Sequence, residues 1–175
     1  MPRSVSELAI IDHLLCVATV RLFQAVGVDV AEIEDGNLPA AGPLLASTVG
    51  FSAPGVRGAV TLVIGRPTIA ALYPEVALGT VEALRDAVGE LSNLLVGELK
   101  RQLRAVGVDV ELGLPVTFAG DGLRLCPAAA ESRGQAFATR HGVVRVRLDG
   151  QLADVAFTAE GERDPAAAAG DTLFF

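Results

Sequence analysis

The sequence predicts an α+β domain in which two long helices pack on a mainly antiparallel sheet, with an internal helix-strand duplication. Three observations carry this. Two long helical patterns, over about residues 4–26 and 81–106, each end at a glycine that leads into a β-branched stretch. The other apolar stretches are short and separated by Gly/Pro turns, as hairpin-connected strands are. Finally, the string AVGVDV occurs at 25–30 and again at 105–110, 80 positions later, with Arg21 matched by Arg101. An identical string at matching junctions points to two related helix-then-strands halves packed as one domain.

The first helix starts near Ser4, where Ser4 and Glu7 have capping-box spacing, and runs to about Val26. Ile10, Ile11, Leu14, Leu15, Ala18, Leu22 and Phe23 cover most of its circumference, so it should be buried on several sides. Gly27 and Gly107 are placed as left-handed C-terminal caps. Strands are expected at Val28–Ile33, Leu44–Phe51 and Val56–Ile64, then a short helix after Pro67 that breaks near Pro74.

The second long helix begins after Thr80, an N-cap with Glu82 in the first turn, and ends near Val106. Strands follow at Val108–Phe118, Leu123–Cys126, Gln135–Thr139, Val143–Leu148 and Leu152–Thr158. Val144, Val146 and Leu148 alternate with Arg145 and Arg147, the period-two pattern of a half-solvated sheet. From about Glu160 the chain loses periodicity, so the domain is expected to span 1–159 and a disordered tail 160–175.

Composition narrows the function. A chain of 175 residues suits one domain, and no apolar run approaches the length of a membrane span. The N-terminus MPRSVSELAI has no signal-peptide pattern, so a cytoplasmic protein is expected, away from membranes. A net charge of −7 argues against nucleic acid, which needs many cations on one face. The basic residues are 13 Arg and only Lys100, a bias that reads as base composition. Cys16 and Cys126 stand alone and read as buried structural thiols, and His13 and His141 lack metal-ligand spacing. GFSAPGVRGAV has glycines but no Lys-Ser/Thr pair, so no phosphate loop is present. No Ser-His-Asp or Cys-His set presents itself.

The chemistry points to the second long helix. On a 3.6-residue wheel Leu84, Val88, Leu91, Leu95, Leu99 and Val106 form a core stripe. Asp86, Glu90, Asn93, Gly97, Lys100, Arg101 and Arg104 fall on the opposite side, with Asp86, Glu90 and Asn93 at i, i+4 and i+7. Such residues are usually plain solvated surface. Here, however, Asn costs roughly half a kcal/mol and Gly about 1 kcal/mol against Ala in a helix interior. A helix that tolerates both on one exposed strip is keeping that strip flat for a partner.

The segment DAVGELSNLLVGELKRQL, Asp86 to Leu103, followed by Pro115, fits D/S-x3-E-x2-N-x21-P at all four positions. It resembles the active-site signature of the CheC/CheX/FliY phosphatases, and GELxN…G is most similar to CheX. The resemblance runs from about Val5 to Thr158. Shifting back by the repeat offset maps Asp86, Glu90, Asn93 and Pro115 onto Ser6, Ile10, His13 and Asp35, so one active helix per chain is expected, as in CheX.

The resemblance implies a phosphatase for the aspartyl phosphate of a CheY-like response regulator. Asn93 would orient the attacking water, and Glu90 would pair with the receiver's lysine. A carboxamide suits that task because it accepts from water and donates elsewhere without ionising near phosphate. Asp86 would support Glu90, and Pro115, unable to donate a ladder hydrogen bond, would sit at an edge or bulge and shape the site. Gly97, Lys100 and Arg101 are candidates for partner contact. No cofactor of its own is implied; Mg2+ is expected on the phosphorylated receiver. A homodimer is also implied. The competing expectation is an adaptor or flagellar-switch-like module of the same fold without catalysis.

Overall fold

Both glycines that end the long helical patterns take left-handed backbone, with φ 75 at Gly27 and φ 86 at Gly107. Their caps close alike: Gly27 N–H donates to Gln24 O and Val28 N–H to Phe23 O, while Gly107 N–H donates to Arg104 O and Val108 N–H to Leu103 O. Each acceptor in the second cap lies 80 positions after its counterpart, which makes the duplication structural as well as textual. These contacts belong to a computed structural model that describes residues 5–34, 43–76, 79–121, 123, 126 and 131–151.

The elements run α1 (Val5–Ala25), β1 (Ala31–Ile33), β2 (Pro43–Ala53), β3 (Val56–Gly65), α2 (Arg66–Leu72), a 3-10 turn (Pro74–Val76), α3 (Val81–Ala105), β4 (Glu111–Leu112), β5 (Val116–Asp121), β6 (Glu131–Thr139) and β7 (Gly142–Gln151). The seven strands form one sheet in the order β1-β6-β7-β3-β2-β4, with β5 also on β2. Each of the six strand pairings is antiparallel. Exchange β1 with β4, β2 with β6 and β3 with β7, and the order reads the same from the other edge. Each half therefore contributes a hairpin, the hairpins meet at β3 and β7, and each half's first strand pairs with the other half's hairpin.

The three helices lie against one face of the sheet. Alternate residues of the central strands supply that face: Leu45 and Val49 of β2, Val60, Leu62 and Ile64 of β3, and Val144, Val146 and Leu148 of β7. They bury against Leu15, Leu22 and Phe23 of α1 and Leu91, Leu95 and Leu99 of α3. Each fully buried Leu contributes about 1.5–3 kcal/mol of apolar transfer. Gln135 Nε2 donates to Asp12 O at 2.7 Å, tying β6 to α1. The other face holds a small cluster of Leu44, Ala46 and Val63 with Leu123 against it, while Arg147 Nε donates to Ser132 Oγ.

Several sequence expectations need correction. The strand expected at Val28–Ile33 pairs only over Ala31–Ile33, because Val28 closes the cap of α1 and is buried in the core. The strand expected at Val108–Phe118 is two strands, β4 and β5, separated by Gly113, Leu114 and Pro115. Leu123 and Cys126 are not in a strand, and Cys126 is exposed rather than buried; Cys16 is half-buried. Ile10 is half-buried too, while Ile11 takes the core position beside it. Ser4, Asp35, Arg124, Leu125, the strand at Leu152–Thr158, the tail from Glu160 and the boundary at 159 lie outside the described residues.

Candidate functional site

Thr80 caps α3 as expected: its Oγ1 accepts from Ala83 N–H at 3.3 Å. Hydrogen bonding at this end, first to the Glu82 backbone and then to Thr80, holds the Glu82 carboxyl below its usual range. Apolar spacing then sets the rotation of the helix. Leu84, Val88, Leu91, Leu95 and Leu99 are buried, Val106 is half-buried, and Asp86, Glu90, Asn93 and Gly97 are all exposed on the opposite strip.

Gly89, between Asp86 and Asn93, lies on the edge of this strip and is buried. A Cβ there would stand 3.4 Å from Thr117 Cγ2 and 3.8 Å from Pro115 Cγ. Pro115 thus packs over α3 at Gly89. The register explains how it gets there: Leu112 pairs with Phe51 and Val116 with Thr48, so one residue more stands on the outer side than on β2. Pro115 sits in this bulge at the sheet edge, where its missing N–H costs no ladder bond. Arg85 fastens the contact, donating through Nε to Thr117 Oγ1 at 3.3 Å and through Nη2 to Thr117 O at 3.2 Å. Arg85 and Thr117 escaped the sequence reading, and Gly89 entered it only within the GELxN string, without a packing role.

Gly97 differs from Gly89. A Cβ there would meet nothing within 4 Å, so no internal contact requires glycine. The basic residues beyond it are engaged with their own chain. Arg101 pairs with Glu98 at 2.6 Å, Lys100 lies 3.8 Å from Asp109, and Arg104 pairs with Asp109 at 3.1 Å. Glu98 also accepts from Arg21 of α1 at 3.2 Å. The Arg101 hydrogen bond, then those of Gln102 and Arg21, hold the Glu98 carboxyl down at about 2 against burial that opposes them.

Tyr73, at the end of α2, is half-buried against the core. Its phenol is pushed above its ordinary value by burial first, then by the carboxylates of Glu90 and Glu75.

Asp86, Glu90 and Asn93 thus share one exposed strip on α3, while His13, their counterpart on α1, is exposed without a carboxylate or amide beside it at matching positions. An open groove of about 610 Å³ is lined by Gly50, Arg57, Glu111, Asp149 and neighbours, and includes none of these three residues. An exposed strip suits a protein surface that brings the reacting group with it. Among the described residues no group of three His, Cys, Asp or Glu is placed to hold a metal ion, and no helix is long and apolar enough to cross a membrane.

Comparison with known proteins places the fold. The family described as chemotaxis phosphatase CheX matches residues 45–138. No curated protein matches the sequence. Among solved structures, chemotaxis protein CheX from Vibrio vulnificus is 17% identical, with 79% of this chain and 94% of that one covered at a TM-score of 0.68. The CheX–CheY–BeF3–Mg2+ complex from Borrelia burgdorferi gives 14% identity, 79% and 96% coverage and a TM-score of 0.58. The FliM middle domain from H. pylori gives 12%, 83%, 92% and 0.54.

Proposed function

The chain belongs to the CheX family of chemotaxis phosphatases, and on that premise we propose that it hydrolyses the aspartyl phosphate of a CheY-like receiver domain, using Glu90 and Asn93 on α3. The observation that carries this reading is the common strip: the two side chains are exposed and three residues apart on one helix face. A complex of a similar protein with CheY supports a receiver as the partner.

Aspartyl phosphate is already an activated acyl phosphate. What hydrolysis needs is a water held in line with the breaking O–P bond. Asn93 supplies this by accepting a hydrogen bond from the water while its NH2 group donates elsewhere, and it stays uncharged beside the phosphoryl oxygens. Mg2+ on the receiver neutralises charge that develops on the phosphoryl group. Glu90 would be repelled by the phosphoryl group, so its part is to pair with the receiver's lysine and set the register of the dock. Asp86, one turn earlier, supports Glu90, and Pro115 shapes the wall over Gly89. Gly97 leaves the strip flat beyond Asn93. Lys100 and Arg101 keep a steering role only as members of their ion-pair clusters.

The test is the decay of a phosphorylated, Mg2+-bound CheY in the presence and absence of this chain, with Asn93→Ala alongside. Decay that accelerates with the wild type and not with the variant is the expected result; unchanged decay would remove the mechanism. Glu90→Ala should raise KM and leave kcat closer to wild type.

A second reading has its own support. The FliM middle domain shares the fold, so the fold by itself does not make an enzyme. Binding of phosphorylated CheY without faster decay would establish the adaptor. We also propose a cytoplasmic homodimer, which equilibrium sedimentation of the full chain would test.

A further inference from the structure

An exposed leucine stands on each flank of the strip. At about 100° per residue, Asn93, Asp86, Gly97 and Glu90 span about 60° of the helix circumference; Gly89 follows about 40° beyond one side and Leu94 about 40° beyond the other. Leu94 is 48% exposed. On the Gly89 side Pro115 packs over the helix, and Leu114 beside it is 88% exposed, more than any other large apolar residue among those described. The chain around Leu114 is pinned. Leu112 pairs with Phe51, Gly113 N–H donates to Gly50 O at 2.8 Å, and Thr117 is held by Arg85.

One exposed leucine is ordinary on a folded protein. The duplication sets these two apart. Eighty positions before Leu114 stands Glu34, which is exposed as well, in the half without the site. The same repeat position thus meets solvent with a carboxylate in one half and with a leucine in the other. At 88% exposure, packing within the chain does not select an apolar side chain at Leu114. Eighty before Leu94 stands Leu14, again leucine, but half-buried against the core. Its copy on α3 lies in the open beside Asn93.

We propose that Leu94 and Leu114 are the apolar anchors of the receiver dock, each seated on apolar receiver surface beside the polar centre formed by Glu90 and Asn93. This rests on the receiver reading of the strip. Burying two leucines supplies affinity that an ion pair at Glu90 does not supply alone, and it keeps water away from the polar contacts between them. Val116 and Phe118 are exposed too, but they alternate with Thr117, whose hydroxyl meets Arg85 of α3. They therefore lie on the opposite face of the sheet, outside this dock.

The test uses the full chain and CheY held in its activated form by BeF3 and Mg2+, with Kd read by calorimetry. Leu114→Gln and Leu94→Gln should each raise Kd about 5- to 20-fold and leave kcat on phosphorylated CheY within about twofold. Circular dichroism should show both folded, since both side chains are exposed and Glu34 already places a polar group at the matching position. Phe118→Gln and Glu34→Leu should leave Kd unchanged. If Glu90→Ala raises Kd and neither leucine variant does, the anchors are overturned and the strip remains the dock. An equal rise in Phe118→Gln also overturns them, because the receiver would then cover the other face. So does a Leu114→Gln protein that sediments as a different oligomer with Kd unchanged, which would give Leu114 to a contact between copies. No binding by the wild type removes the receiver reading and this inference with it.

Discussion

α1 and α3 begin as copies and end as different devices. Both run into the same six-residue string, both close with the same glycine cap, and both bury leucines in one core. They differ where the chain meets solvent. α3 presents Asp86, Glu90, Asn93 and Gly97 on an open strip, whereas the corresponding positions of α1 include the half-buried Ile10 and exposed His13. β5 adds a second difference. It places Thr117, with Pro115 just before it, over Gly89, whereas the position of α1 that matches Gly89 is Ala9. Duplication thus kept the structural role of both helices and left the proposed site on one, because packing constrains the inner face and only a partner would constrain the outer one.

Breaking the shared inner face should have the largest effect. Leu15 and Leu91 are both wholly buried, so Leu15→Ala and Leu91→Ala should each cost about 2–5 kcal/mol in urea unfolding. A mild loss in one and a severe loss in the other would show that the helices are not equivalent supports.

The outer faces should then separate. Asn93→Ala is expected to slow catalysed dephosphorylation on the order of 100-fold while the thermal melt barely moves. His13→Ala should change neither. Equal activity losses in both would erase the asymmetry between the halves.

The link between the helices titrates. Glu98 sits at about 2 in the folded protein, below its ordinary 4.5. Its contribution is therefore present above about 4.5 and is lost as pH falls toward 2. Partial exposure limits it to about 0.5–1 kcal/mol. Glu98→Gln should lower the melting temperature near pH 6 and converge on wild type as pH approaches about 2.5. Parallel curves would mean that the Arg21 and Arg101 contacts contribute nothing through charge.

The smallest effect is a gain. Gly97→Ala should stabilise the protein by about 0.5–1 kcal/mol, since the added methyl meets open space on a helix. If the strip must be flat for the receiver, the same variant should bind phosphorylated CheY less well. Gly89→Ala should stabilise less than Gly97→Ala, because its methyl would press against Thr117 Cγ2 at 3.4 Å and Pro115 Cγ at 3.8 Å.

The caps at Gly27 and Gly107, the N-cap at Thr80 and the alternation around Arg145 and Arg147 were legible because each is a local preference with a local cause. Pro115 at an edge or bulge was legible for the same reason. The breaks at Val28 and Gly113 were not, since a strand exists only where a partner is in register. Cys126 read as buried from its residue type, yet its exposure depends on what folds over it.

By itself, then, the amino-acid order determined two amphipathic helices, their ends, their duplication and the strip of side chains on α3, all of which follow from periodicity and short-range sterics. Tertiary structure alone decided which elements wall that strip. Pro115 is 26 positions after Gly89, and only the pairing of β5 with β2 brings it there. It also decided that Arg21 of α1 answers Glu98 of α3, because charge finds its nearest partner in space and not in sequence.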